Sequence, residues 1–166
     1  HLKAVHAWHP SLAYLGGDEF VCAFDLGEAA ESLDYRTYYS RTLDGGQSWK
    51  PPERLFEDDG TRRSTHTVRI AALPSGDLVG FGARFYRDNP AEGLTNRETL
   101  GFVPMDVILL RSGDRGRMWQ GPSNVTTPLE GPAFEVCHAI VQLADRRWLA
   151  PTQTWPAWDG RSPHGW

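Results

Sequence analysis

The sequence predicts an all-β chain built from short antiparallel strands, and three observations predict it. Seven tryptophans accompany 17 glycines and 12 prolines in 166 residues, a content of aromatic side chains and turns that suits strands rather than a helix bundle. One turn motif occurs twice, and one strand–turn–strand segment occurs three times. Only Gly27–Ser32 reads as helical, about one turn within a loop.

The elements follow in chain order. Ser11–Val21 reads as strand, tight polar turn, strand, and aligns without gaps on Arg69–Val79 at an offset of 58 residues. The same shape returns at Ala139–Leu149, a further 70 residues on. After each of the first two hairpins comes an extended run, Tyr35–Ser40 and then Asp106–Arg111, and after each run the repeated turn. That turn has the pattern Ser/Thr-x-Asp-x-Gly-x-x-Trp. It is Thr42, Asp44, Gly46 and Trp49 in the first copy, and Ser112, Asp114, Gly116 and Trp119 in the second, 70 residues apart.

The chemistry of the motif is that of a hairpin turn. The Asp carboxylate accepts hydrogen bonds from turn amides, and the Gly takes a positive φ. The hydroxyl ties down nearby backbone, and the Trp folds back over the hairpin, which predicts that Trp49 and Trp119 are largely buried. Each unit is then an inner hairpin, a third strand, the turn and a fourth strand. Four-stranded antiparallel units repeated in line are the blades of a β-propeller. Blade one spans about 8–56 and blade two about 65–127; blade three starts near 134 and its inner hairpin runs to 166. Two and a half blades leave open apolar faces, so other chains or further blades are expected to complete the ring.

Composition narrows the partners. A formal charge of −4 argues against nucleic acid, and no apolar run approaches the roughly 20 residues of a membrane span. The opening His1–His6 lacks the apolar stretch of a signal peptide and reads as a mature or trimmed start; the compartment stays open. Cys22 and Cys137 both sit in strand-like apolar runs and read as buried free thiols. No tight ligand spacing calls for a metal, and no motif calls for a cofactor.

Candidate chemistry lies where the inner strands begin, because in a propeller these line a central channel. Those positions hold His9 and Ser11, then His66 and Arg69, then Glu135 and His138. In the loops that follow the inner hairpins, Trp155 and Trp158 offer aromatic faces for stacking on sugar rings.

The paired turns resemble the bacterial neuraminidase repeat, the Asp box found across sialidases and other six-bladed propellers. The third hairpin, His138–Pro151, is similar to the sialidase pattern G-I-Q-L-x-x-G-R-L-x-x-P. Arg69-Ile70-Ala71 is similar to the family's Arg-Ile-Pro motif, with Ala71 where the motif has Pro. The resemblance implies a carbohydrate-active protein, a glycoside hydrolase of exo-sialidase type acting on a glycan or other acidic saccharide. On that match Arg69 is a carboxylate clamp, Arg84 supports the site and Asp88 is the acid/base. By their place at the inner-strand starts, His9 and His138 join the catalytic candidates and His66 and Glu135 the substrate-binding ones. The family's Tyr nucleophile, its Glu partner and the other clamp arginines come from later blades. Counting blades back from the third hairpin puts the family's first blade instead at His9–Ala13, where no Arg stands. Two other readings stay open: a binding propeller without catalysis, and a polysaccharide lyase using His and Tyr with an Arg to neutralise a uronate.

Overall fold

A computed structural model describes residues 6–162. His1–Val5 of the opening segment and residues 163–166 of the third unit lie outside the described residues. Among the described residues there are twelve strands and no helix. Of the Gly27–Ser32 segment, Gly27 ends a strand and 28–31 are bend and turn, closed by the Ser32 hydroxyl donating to the Ala29 carbonyl.

The first sheet has the order β1 (His6–Gly16), β2 (Glu19–Gly27), β3 (Arg36–Thr42) and β4 (Glu53–Arg54), all antiparallel. The second repeats it with β5 (Ser64–Ala72), β6 (Leu78–Tyr86), β7 (Met105–Ser112) and β8 (Gln120–Asn124). In the third unit β9 (Ala133–Glu135) pairs with β12 (Gln153–Trp155), and β10 (Val141–Gln142) pairs with β11 (Trp148–Leu149). Both short pairs belong to one hairpin whose arms are interrupted at 136–140 and 150–152.

The period of two along a strand decides which side chains meet. From β5 and β6, Val68, Ile70 and Leu78 face the first sheet, where they pack with Ala13, Val21, Ala23 and Tyr39. Val79 and Phe81, at the alternate positions of β6, face the third unit and pack with Val136 and Ile140. The second sheet is therefore covered on both faces, and the apolar run Leu78–Phe81 needs no polar alternation.

Both repeated turns close as their chemistry requires. Asp44 accepts from the Ser48 amide at 2.9 Å and from the Thr42 hydroxyl at 2.7 Å, while Thr42 Oγ1 accepts from the Gly46 amide. Asp114 accepts from the Arg117 and Met118 amides and from Ser112, whose hydroxyl accepts from the Gly116 amide. Gly46 and Gly116 have φ of 91° and 77°, and a Cβ at Gly116 would stand 2.9 Å from Leu78. The tryptophans differ from the expectation of burial. Trp119 packs on the core beside Tyr39, but Trp49 is 43% exposed, because among the described residues no neighbouring sheet covers its side of the first unit. The cysteines also differ from the expectation of burial: both thiols are free, but Cys22 is half-buried and Cys137 is exposed.

Candidate functional site

At the ends of the strands away from the Asp-motif turns, the three units enclose a cavity of about 200 Å³. Its walls carry the rings of Trp8, Phe85, Phe102 and Phe134 and the polar groups of His9, Glu31, Thr67, Arg69 and Glu135. Beneath it lies Asp25, fully buried near the end of β2. Thr37 donates to Asp25 Oδ1 at 2.5 Å; Thr67 at 2.6 Å, His9 Nδ1 at 3.1 Å and Tyr35 at 3.2 Å donate to Oδ2. Arg69 Nη1 stands 3.5 Å from Asp25 Oδ2 and donates to Thr67 Oγ1 at 2.9 Å. His9 Nδ1 also lies 2.9 Å from the Tyr35 hydroxyl. Burial first, and then the Asp25 charge, push the Tyr35 phenol far above its ordinary range, so it serves as a donor and not as a phenolate.

Two lining residues hold left-handed backbone without being glycine: His9 with φ of 53° and Glu31 with φ of 59°. Such conformations cost of order 1–3 kcal/mol each and gather at functional sites, where the surroundings over-determine them. At His9 the β1–β2 register shifts between Trp8 and Ser11, which turns the imidazole onto Asp25. Glu31 reaches across and accepts from the Leu94 amide at 2.9 Å, pinning the long loop 87–104 as a wall of the cavity. The far side of that loop is fixed to the third unit by Trp155 Nε1 donating to the Leu100 carbonyl, and by Asn96 and Thr99 donating to the Trp158 carbonyl.

The cavity thus brings together His9, Arg69 and Glu135 and leaves the other expected residues elsewhere. His66 is fully buried between the sheets, stacked on Phe56 at 4.0 Å with Nδ1 accepting from the Thr37 amide. Burial first, then Arg36, Arg84 and Arg54, hold its imidazole well below the ordinary histidine range. Arg84 lies on the same strand face, 3.7 Å from Asp59 and over the Phe56 ring. Asp88 is exposed and ion-paired with Arg62, which keeps its carboxyl below the usual carboxylate range. A general acid needs the opposite shift. His138 lines a separate depression with Glu135, Cys137 and Gln153. Trp155 stacks on Phe102 at 5.4 Å and Trp158 packs beside Val103, so both are loop anchors outside the cavity.

Asp25, Tyr35 and Thr67 are the site residues that sequence reading missed. The signal available was Asp25 itself, a lone carboxylate in the apolar run Phe20–Leu26. A charge there needs partners.

The fold is similar to the crystal structure of a protein of unknown function from Dyadobacter fermentans DSM 18053, with 22% identity and a TM-score of 0.59 over 86% of this chain and 45% of that one. It is also similar to the sialidase NanB, determined with Optactamide, with 12% identity and a TM-score of 0.64 over 92% of this chain and 41% of that one. The chain therefore spans less than half the length of either structure, and the likeness at these identities is one of fold. No family model and no curated protein matches the sequence.

Proposed function

We propose that the chain is part of a six-bladed, sialidase-like β-propeller that acts on glycans, with its repeated Asp-motif units as blades and the cavity over Asp25 as its saccharide site. The observation that carries this reading is that three successive units meet in one cavity walled by aromatic rings and floored by a hydrogen-bonded polar hub. That combination suits a sugar, whose ring faces stack on aromatic groups and whose hydroxyls need fixed donors and acceptors. The likeness to NanB supports the architecture. Glycoside hydrolysis is the reaction class we favour. His9 and Arg69 would contact the ring, and Glu135 stands at its edge. A role for Asp88 as acid/base requires that it leave Arg62.

The test is titration of the protein with a panel of monosaccharides and short glycans, followed by tryptophan fluorescence and by nuclear magnetic resonance. Binding that is lost in Arg69→Ala and His9→Ala and retained in Trp155→Phe supports the site. No response to any saccharide overturns it. Release of fluorophore from aryl glycosides then separates a hydrolase from a binding protein.

The lyase reading has an observation of its own, the His9–Tyr35 hydrogen bond beside Arg69. Ultraviolet absorbance from an unsaturated uronate product distinguishes it.

A further inference from the structure

Arg69 is the expected clamp for a carboxylate, yet its surroundings already hold one. Its Nη1 lies 3.5 Å from Asp25, and Asp25 is fully buried with no solvent to screen it. The two charges form a compensated pair under the cavity floor. Among the described residues the walls then add two more carboxylates, Glu31 and Glu135, and no further guanidinium or ammonium group. Arg87, which opens the 87–104 loop, is buried, and its guanidinium donates to the backbone carbonyls of Glu31 and Glu92. Counting it, carboxylates still outnumber guanidinium groups three to two. Cys137 is exposed as a residue, but its thiol faces the same wall and donates to Glu135 at 2.9 Å; partial loss of solvent around the sulfur and then Glu135 push the thiol up to about 11, so it contributes a neutral S–H.

Resting on the saccharide reading above, we propose that the ring held in this cavity carries no carboxylate: the site takes an uncharged or amino sugar and rejects sialic and uronic acids. A carboxylate entering here would meet an arginine whose charge is balanced and two acidic side chains that repel it. A hydroxyl or an N-acetyl group meets no such conflict. Arg69 has two nitrogens without a protein acceptor among the described residues, and Glu135 can accept from a hydroxyl or an ammonium group.

The deciding experiment compares matched pairs on the intact chain, glucose with glucuronate and N-acetylglucosamine or glucosamine with N-acetylneuraminate, by saturation-transfer nuclear magnetic resonance and calorimetry. The expected result is binding of the uncharged or amino sugar at least about tenfold tighter than its acidic counterpart, roughly one decade in Kd. Raising the salt concentration should narrow the gap, because it is electrostatic. Glu135→Gln, a half-buried wall residue outside the Asp25 hub, should narrow it too. Asp25→Asn, which frees the Arg69 charge, should invert it if the variant folds. Equal or tighter binding of the acidic sugars by the unmodified chain overturns this proposal while leaving the saccharide site standing. Failure of every sugar to bind overturns both.

Discussion

Asp25 and Arg69, 44 residues apart in sequence, meet at 3.5 Å with the carboxylate fully buried and the guanidinium nearly so. The pair joins the first sheet to the inner strand of the second, and Thr37 and Thr67 complete the carboxylate's hydrogen bonds. Removing one partner of such a pair strands the other charge in a low-dielectric site. Asp25→Ala is expected to destabilise the fold by about 3–5 kcal/mol in urea unfolding. Asp25→Asn should cost less, since no buried charge is stranded by the loss of a side chain and the amide oxygen still accepts from one of the two threonines, which donate to different carboxylate oxygens. A variant as stable as the parent would show that the hub does not hold the sheets together.

His66 predicts a pH dependence of opposite origin. Burial keeps its imidazole neutral in the fold, with its affinity for protons well below the ordinary 6.5. Below that pH the unfolded chain takes up a proton here and the folded chain does not. Stability from this group is therefore complete above pH 6.5 and falls as the pH drops, by up to about 1.4 kcal/mol per pH unit. His66→Phe keeps the stack on Phe56 and should flatten the profile between pH 6.5 and 5. An unchanged slope in that variant would place the titration elsewhere.

The contrast between His66 and Arg69 also marks what was legible in the sequence. The repeats and turn motifs carry their own periodicity, so the four-stranded units, their strand order and the closed Asp44 and Asp114 turns follow from sequence. Recurrence of His9, His66 and His138 near equivalent positions did not carry over to a site. On a strand one residue's shift reverses the face, and His66 points to the first sheet while Thr67 and Arg69 reach the cavity. Asp25 escaped notice because its partners come from three strands and two units, a convergence that no local pattern encodes. Trp155 and Trp158 had the right chemistry for a ligand but are fixed by loop 87–104, whose path is a tertiary matter.

At the acid end the Asp motifs take over. The Ser48 hydroxyl first, then the Ser48 amide and Thr42, hold the Asp44 carboxyl at about 2 against an ordinary 3.8. A depressed carboxyl stabilises the fold above its unfolded value and loses that effect as the pH falls through its folded one. Asp44→Asn should therefore be less stable than the parent at neutral pH, with the difference shrinking between pH about 4 and about 2. Thermal unfolding at a series of pH values checks this. A difference that persists undiminished at pH 2 would mean the loss is one of packing and not of charge.

The last prediction concerns the uncovered side of the first sheet. Leu12, Phe20, Tyr38 and Trp49 are the counterparts, by the offsets of 58 and 70, of Ile70, Leu78, Ile108 and Trp119. The second set packs against the first sheet, with Ile70 1% exposed and Ile108 fully buried. In the first set Leu12 is 59% exposed, and beside it Tyr14 is 56% exposed. The third unit has the complementary deficit. Val141, Leu143 and Leu149 are exposed, whereas their counterparts Ala13, Leu15 and Val21 pack toward the second sheet. One copy's uncovered first sheet therefore matches another copy's third unit, a head-to-tail contact of the same kind that already joins the first two sheets. We expect the 18.6 kDa chain to associate with rising concentration in sedimentation velocity runs. Leu12→Asp with Tyr14→Asp should abolish the association, and Val141→Asp with Leu149→Asp should do so equally, each without unfolding the sheets. A chain that remains monomeric at all concentrations would sink the idea. Association that survives both pairs of substitutions would do the same, since it would have to use a different surface.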